Sequence, residues 1–342
     1  MIYTDFMSIN DFYAEPVAEV PTVTPTEEKK KNKTVSFSQY AMWLKCPQQW
    51  KLSYIDKLAP YEANINTAFG TGIHEALQEY LRLLYNVGSS AADEFDCYAK
   101  FISAFDEELK QLKLATDEQV STLSAEDIEE LGLTTPSQVA EFKSDGRTIL
   151  DHVTSYAIRS KHFPSKKYEV VGIELPLEIP LKNNTITYKG FLDIVFKDKT
   201  TNKILILDFK TSRLGWNKYQ KADRTKIDQL LLYKRFYHQV FKVPMSDIEV
   251  EFFVVKRKLL EDAEFPQQRI QRISPPDGKM NMKEVESAFL DFIKNGFDDN
   301  GEYNKDAVFL KNPGKGRKNC KYCIFKTLKN DKGELYCNGK EG

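Results

Sequence analysis

The stretch that decides the fold is Ile204-Leu205-Ile206-Leu207-Asp208-Phe209-Lys210-Thr211. Its first four residues are large and aliphatic, and a short apolar run of this kind is typical of a buried strand. Because side chains alternate along a strand, Asp208 and Lys210 are expected on one face and Phe209 on the other. A carboxylate and an amine at the end of a buried strand are costly unless a metal ion or an anionic group compensates. The strand therefore predicts a site for a divalent cation and a phosphate.

The residues on either side of this strand extend the pattern. A second strand is predicted over 188–196 and is expected to pair with the first through a turn at 197–202. Asp193 lies among apolar residues of that strand and is expected to point into the protein. Farther along, Gln229 and Tyr233 are four positions apart on a helical pattern, so both side chains share one helix face.

A helix is predicted to begin within Phe69-Gly70-Thr71-Gly72-Ile73-His74. Four residues at helical spacing form its apolar face: Ile73, Leu77, Leu81 and Leu84. This start places His74 in the first turn of the helix.

The motifs described so far follow one another in a set order: His74, Gly190-x-x-Asp193, Asp208-x-Lys210 and Gln229-x-x-x-Tyr233. One such motif is a weak signal, but four in order on the expected elements are a strong one. Over residues 36–337 the chain resembles the RecB-type nucleases of the PD-(D/E)XK superfamily, which include the AddB nuclease domain and the CRISPR-associated RecB-like exonucleases. The resemblance implies an α/β fold with a restriction-endonuclease-like core, in which helices flank a mixed sheet.

The resemblance also implies a role for each motif residue. It assigns four ligands to Mg²⁺ or Mn²⁺: His74, Asp193, Asp208 and the backbone carbonyl of Phe209. Lys210 would lie beside the attacked phosphate, where Gln229 and Tyr233 would position the lysine or the DNA strand. Asp208 stands where many relatives carry Glu, so the side chain that would bind the metal is shorter here.

Each of these residues also has an ordinary structural explanation. His74 would then cap a helix or fill the core, Asp193 would sit in a turn, and Asp208 with Lys210 would form a surface ion pair. Gln229 and Tyr233 would belong to a plain amphipathic helix. Glu174 lies on an alternating strand next to the predicted site and is expected to face solvent.

The five cysteines form a second pattern: Cys46, Cys97, Cys320, Cys323 and Cys337. One amino-terminal cysteine with a carboxy-terminal group of three resembles the iron–sulfur subset of these nucleases. That resemblance implies a 4Fe-4S cluster on Cys46, Cys320, Cys323 and Cys337 that clasps the two ends of the domain. Zinc and no metal remain alternatives. Cys97 is expected to be a buried thiol on a helix.

Composition and the positions of proline and glycine divide the 342 residues into segments. Residues 1–33 hold three prolines and read as a flexible, acidic tail. Residues 34–342 are predicted to form the RecB-like nuclease domain, with a helical insertion at 90–160 and a cysteine segment at 305–342. Helices are predicted at 37–56, 71–86, 224–241 and 282–295. Strands are predicted at 168–180, 186–197, 203–210 and 247–256.

The distribution of charged and aromatic residues indicates what kind of molecule the protein binds. Net charge is −1, but residues 210–226 carry six bases and residues 311–332 carry eight, each segment with a single acid. Such segments favour a groove that follows phosphates, although a solvated lysine-rich surface is the alternative. Three aromatic residues near them are candidates for stacking on bases: Trp216, Tyr219 and Tyr322.

Taken together, the residues and the resemblance predict a metal-dependent DNA exonuclease that acts on single-stranded or frayed ends in recombination, repair or replication. The rivals are a non-catalytic DNA-binding or assembly subunit and a zinc-stapled adaptor. A helicase, a recombinase or another replication or repair protein is the expected partner. The sequence shows neither a signal peptide nor an apolar span of membrane length, so a cytoplasmic location is expected, with a phage or mobile element as a hypothetical source.

Overall fold

The computed structural model describes residues 32–58, 63–260, 264–321 and 323–339. Most of the predicted acidic tail, residues 1–31, and the aromatic residue Tyr322 therefore lie outside the described residues. The predicted domain boundaries remain predictions.

Helices dominate the first half of the described chain and strands the second. The first half contains β1 (Lys33–Val35), α1 (Phe37–Lys45), α2 (Pro47–Trp50), a π-helical turn (Lys51–Ile55), α3 (Ile65–Asn86), α4 (Ser89–Glu94), α5 (Cys97–Leu109), α6 (Asp117–Thr122), α7 (Ala125–Glu130), α8 (Pro136–Thr154) and α9 (Tyr156–His162). The second half contains β2 (Tyr168–Leu181), β3 (Ile186–Asp198), β4 (Ile204–Ser212), α10 (Lys218–Lys221), α11 (Arg224–Phe241), β5 (Ile248–Lys256), β6 (Ile270–Ile273) and α12 (Lys279–Gly296). Short 3-10 turns follow at Lys315–Cys320 and Ile324–Lys326.

The six strands form one mixed sheet. Its main path runs β1-β3-β4-β5-β6, and β2 pairs with β3. The β2–β3, β3–β4 and β5–β6 pairs are antiparallel, whereas β1–β3 and β4–β5 are parallel. Helix α11 makes the crossover from β4 to β5, as a parallel pair requires.

Helices cover both faces of the sheet, so the molecule has two cores. Residues of α1, α11 and α12 pack on one face, and residues of α3, α5 and α8 pack on the other. In β4, Ile206 belongs to the first core and both Leu207 and Phe209 to the second. This arrangement confirms the predicted α/β fold, a mixed sheet flanked by helices.

Helix α3 begins earlier than the sequence predicted, so the placement of His74 in a first turn was wrong. The side chain of Asn64 accepts the N–H groups of Asn66 and Thr67 at 3.0 and 3.1 Å, which caps the helix there. The glycines that suggested a helix start serve packing instead. A Cβ on Gly72 would lie 2.9 Å from the ring of Phe101 in α5, so the two helices approach closely only because this side chain is missing.

Two further findings complete the fold. The strands β1 and β6, of three and four residues, were not predicted. Among the described residues, no helix has the combined length and apolar character needed to cross a membrane.

Candidate active site

The site forms where β3 and β4 separate. Their antiparallel pairing runs from Lys197 opposite Ile204 to Ile194 opposite Leu207 and then ends. Beyond that pair, the backbone N–H of Phe209 donates to the Asp193 carboxylate at 2.7 Å. The side chain of Asp193 therefore takes over from the backbone ladder and holds the two strands at the point where they separate.

Asp208 and Lys210 form a close ion pair on one face of β4. The lysine Nζ lies 2.6 Å from the Asp208 carboxylate, whose side chain is 2% exposed, while the lysine side chain is 31% exposed. Burial raises the pKa of Asp208 to about 6, against the lowering effect of the Lys210 charge. Burial lowers the pKa of Lys210, but the charges of Asp208 and Asp193 outweigh it and leave that pKa raised. The prediction that Asp208 and Lys210 share a face is confirmed.

His74 reaches the same place from α3. Its Nδ1 lies 3.7 Å from the Asp193 carboxylate, and its ring meets the ring of Phe209 edge-on at 6.0 Å. Burial, followed by the Lys210 charge, lowers the pKa of His74 to about 4. The imidazole is therefore neutral at pH 7, the form in which it can bind a metal. Burial likewise raises the pKa of Asp193 to about 6.

Helix α11 contributes a hydrogen-bonded pair. The Gln229 amide donates to the Tyr233 hydroxyl at 3.0 Å, and Tyr233 is buried. Burial, followed by the charges of Tyr188 and Asp208, raises the pKa of Tyr233 well above its usual value. Tyr233 therefore remains a neutral phenol that faces the carboxylates from the α11 side of the sheet.

Glu174 is a neighbour that the sequence reasoning underrated. It is solvent-exposed, as expected, but it lies between the pairs Ile173–Ile194 and Leu175–Leu192, which puts it opposite Asp193. Its charge is one of the influences that raise the pKa of Asp193. The register of the β2–β3 hairpin is the signal that identifies it.

The side chains at this site are of the chemical types that bind a hard divalent cation. Their present positions, however, do not form a metal site. Within the described ranges, no three His, Cys, Asp or Glu side chains are arranged to hold one metal ion. Asp193 is engaged by the Phe209 N–H, and Asp208 by Lys210. Two carboxylates and a neutral imidazole nevertheless match the ligand preferences of Mg²⁺ and Mn²⁺. A cation would bind here by competing with these two donors for the carboxylate oxygens.

The three candidate stacking residues differ. Tyr219 is 74% exposed at the surface and is free to contact a ligand. The expectation for Trp216 was wrong, because this side chain is buried and its ring lies 4.8 Å from that of Phe252. Tyr322 is outside the described residues.

Four cysteines line a second cavity, which we call the cysteine pocket. The pocket has a volume of about 20 Å³, and its lining includes Cys46, Cys320, Cys323 and Cys337. Burial raises the pKa of Cys323, with further contributions from Cys337 and Cys46. Cys97 lies elsewhere, buried at the start of α5, where desolvation raises the pKa of its thiol to about 12. The expectation of a buried helical thiol at Cys97 is confirmed.

Aromatic packing and side-chain hydrogen bonds bring the two ends of the domain to this pocket. Trp50 packs edge-on against Phe292 at 5.5 Å, and its ring also lies 5.9 Å from that of Phe309. The Asn319 amide donates to the carbonyl of Lys45 at 2.9 Å, across 274 positions of the sequence. The pocket is therefore a meeting point of distant segments rather than part of the sheet.

The shape of the cysteine pocket bears on what it can hold. A single zinc ion needs all its sulfur ligands at about 2.3 Å. In the part of the chain that the structure describes, no three cysteines are close enough to bind one ion, yet four line one cavity. The four thiols therefore line one cavity without forming a ready-made site for a single ion.

One family model matches most of the chain. Residues 34–328 match the family model of the PD-(D/E)XK nuclease superfamily. No curated protein has significant sequence similarity to the chain. Among solved structures, a presumed exonuclease from Eubacterium rectale aligns with a TM-score of 0.42 and 10% identity over 77% of this chain and 80% of its own. The protein SSO0001 aligns with a TM-score of 0.36 and 13% identity over 90% of each chain.

Proposed function

The chain belongs to the PD-(D/E)XK nuclease superfamily, and from that premise we propose that it is a divalent-metal-dependent DNA exonuclease acting on single-stranded or frayed ends. The observation that carries the proposal is the convergence of His74, Asp193, Asp208 and Lys210 where β3 and β4 separate. Carboxylates for a cation and an amine for a phosphate are the groups that phosphodiester hydrolysis needs.

Each side chain has one task in this proposal. His74, Asp193, Asp208 and the Phe209 carbonyl hold Mg²⁺ or Mn²⁺, which when bound polarises a phosphoryl oxygen and activates water. Lys210 turns from Asp208 to the scissile phosphate and offsets the charge that develops there. Gln229 and Tyr233, which are hydrogen-bonded to each other, position the lysine or the DNA strand.

A preference for single strands follows from the surface beside the site. Tyr219 is exposed between Lys218 and Lys221, so an aromatic ring and two amines lie next to one another just beyond β4. Stacking on an aromatic ring does not distinguish bases, and cationic side chains follow the backbone of any sequence. Roles in recombination, repair or replication, and a helicase or recombinase as partner, are proposed from the family resemblance.

For the cysteine pocket we propose a structural 4Fe-4S cluster, with zinc as the alternative. The support is that four thiols from distant segments line one cavity. Anaerobic purification followed by iron and zinc analysis and a visible absorption spectrum separates the two. Iron with visible absorption is expected for the cluster, and zinc without colour would replace it.

The activity is tested on two forms of one single-stranded DNA, linear with a labelled end and covalently circular, with Mg²⁺, Mn²⁺ or a chelator. Linear DNA alone is expected to be degraded, and only with metal. Asp208→Asn is expected to abolish the reaction. Lys203→Gln, which changes an exposed lysine just before β4, is the control and is expected to remain active. Equal cleavage of the circle would replace the exonuclease with an endonuclease.

The second candidate is a non-catalytic DNA-binding or assembly subunit. The observation that favours it is that both carboxylates are already engaged by protein groups. A wild type that binds DNA but degrades neither substrate with any metal would select this candidate.

A further inference from the structure

A cleft separate from both sites opens between α8, α9 and β6, and we call it the basic cleft. Its volume is about 390 Å³, and its polar lining includes Thr148, His152, Lys161, His162, Gln268 and Arg269. Every titratable residue among its described lining residues is basic. In a chain whose net charge is −1, such a lining is a local feature and not a reflection of composition.

Two acids on the helix that lines this cleft are already paired. Glu141 and Asp145, on the preceding turns of α8, bind Arg257, which lies just after β5. Thr148 and His152 follow on the same helix and line the basic cleft instead. Among the described residues, Lys161 has no ion pair, so its charge at the edge of the cleft is uncompensated.

The guanidinium group of Arg269 is held in position and still has N–H groups that can donate to a ligand. Its Nη1 donates to the backbone carbonyls of Lys256 and Arg257 at 2.9 and 3.1 Å. A guanidinium has five N–H donors, and no other hydrogen bond of this group is found within the described ranges. The group is therefore held in place at one end with further donors at the cleft.

His162 provides the sharpest indication of a ligand. Its side chain is buried, its ring packs edge-on against Phe253 at 5.5 Å, and its Nδ1 has no hydrogen-bond partner among the described residues. A buried polar atom without a partner destabilises the fold. Burial, then the charges of Arg272, Lys161 and His152, lowers the pKa of His162 to about 4. The ring is therefore neutral at pH 7 and can donate one hydrogen bond.

We propose that the basic cleft binds the phosphate of a nucleotide, with Lys161, His162 and Arg269 as its contacts. Three donors, two of them charged, come from the end of α9 and from the residue before β6, and they match a group that bears a multiple negative charge and several acceptor oxygens. The base has partners nearby: the amides of Gln267 and Gln268 line the cleft, and Phe265 of the same segment is 72% exposed.

The position of the cleft links it to the nuclease site. Thr211 pairs with Val255, and Val255 pairs with Ile270, which lines the cleft. Two strand spacings, about 10 Å along the sheet, therefore separate the end of β4 from the cleft, which opens on the face of the sheet opposite Asp208 and Lys210. The bound phosphate belongs either to the DNA strand beyond the scissile bond or to the released nucleotide. The inference rests on the proposed function only for the choice of a nucleotide as ligand.

Calorimetry on the full chain tests the inference, with chelator present so that no DNA is cleaved. The probes are thymidine 5′-monophosphate, thymidine and a short single-stranded oligothymidylate. The monophosphate is expected to bind and the nucleoside is not. Lys161→Ala and His162→Phe are each expected to weaken binding about tenfold, the loss that follows removal of one hydrogen bond to a charged group. His162→Phe retains a ring against Phe253, and Lys166→Ala, an exposed lysine outside the cleft, is the matched control.

The outcomes separate the two sources of phosphate. If Lys161→Ala weakens the oligonucleotide and the monophosphate alike, the cleft holds the strand; if it weakens the monophosphate alone, the cleft holds the product. Equal binding of thymidine and its monophosphate, or an equal loss in Lys166→Ala and Lys161→Ala, would overturn the inference, as would no binding by any probe. Because Lys161 is exposed, its variant remains informative if His162→Phe does not fold. These binding measurements do not depend on nuclease activity, so they test the cleft even if the protein degrades no DNA.

Discussion

The candidate active site and the cysteine pocket are built on different kinds of backbone. In the active site, Asp208 and Lys210 lie on β4, whose neighbours on both sides fix it in the sheet. In the cysteine pocket, Cys46 lies between two helices, and the 3-10 turn Lys315–Cys320 and the residues after it carry the remaining thiols. The first site is shaped by the sheet whatever it binds, whereas the second depends on contacts between distant segments.

Because of this difference, we expect changes in the active site to affect activity and changes in the cysteine pocket to affect stability. In the active site the fold holds a buried carboxylate at a cost, so replacing it removes chemistry without removing support. In the cysteine pocket, a bound group would join segments that few regular hydrogen bonds connect, so its loss removes support without removing chemistry. The predictions below test this separation, from the largest expected effect to the smallest.

Lys210→Gln is expected to reduce the rate of DNA degradation by about 10³-fold, the effect of losing one preorganised charge at a transition state. The melting temperature should also fall, because the buried Asp208 carboxylate loses its partner, so rates are compared per folded molecule. Initial rates on end-labelled single-stranded DNA measure the effect, with Lys203→Gln as control. A loss of activity that merely follows a loss of folded protein would break the comparison.

Cys323→Ser is expected to lower the free energy of unfolding by about 3 kcal/mol, the scale of losing a cross-link that closes a long loop. Cys97→Ala, which changes a buried thiol outside the cysteine pocket, should cost only about 1 kcal/mol. Denaturant titration of anaerobically purified protein gives both values. If the two variants are equally destabilised, no group bridges the pocket.

In chelator, Asp208→Asn is expected to gain stability relative to the wild type as pH rises from about 4 to 6. Within this window the folded wild type keeps a proton on Asp208, whose pKa is raised to about 6, while the unfolded chain has lost it. The relative gain levels off at about 2–3 kcal/mol above this window. Melting temperatures across the pH range measure it.

Asp198 provides a control of opposite sign for that measurement. The backbone N–H groups of Thr201 and Thr200 lower the pKa of this carboxylate. Asp198→Asn should therefore lose stability relative to the wild type as pH rises through the acidic range. A shared direction in the two variants would mean that general charge, and not burial of Asp208, governs the result.

Tyr233→Phe is expected to lower the free energy of unfolding by about 1 kcal/mol, because one buried hydrogen bond with Gln229 is lost. The rate of DNA degradation should fall by less than about tenfold, since the phenol would act only through Lys210. Rates measured against pH separate positioning from proton transfer. A fall as large as that of Lys210→Gln would assign Tyr233 a direct part in the reaction.

Local patterns explain what the sequence could predict. The strands β2 to β5 and the helices α11 and α12 lie within a few residues of their predicted bounds, because each spans enough residues to display its period. The close spacing of Asp208 and Lys210, and of Gln229 and Tyr233, was likewise readable from alternation and helical periodicity.

Features that depend on distant partners were not predictable in the same way. The strand β1 has only three residues and is defined by its pairing with β3. Glu174 comes opposite Asp193 through the register of a hairpin. Trp216 followed a basic segment and suggested a surface ring, but contact with Phe252 buries it. The basic cleft depends on how α8 and α9 meet β6, which no local motif records.

The most direct test of the account compares Asp208→Asn with Cys323→Ser in one assay. The initial rate of degradation of end-labelled linear single-stranded DNA is measured with Mn²⁺ and divided by the folded fraction from circular dichroism. The account predicts a rate at background for Asp208→Asn and, per folded molecule, a rate within about twofold of wild type for Cys323→Ser. Activity retained by Asp208→Asn, or lost by folded Cys323→Ser, would contradict it.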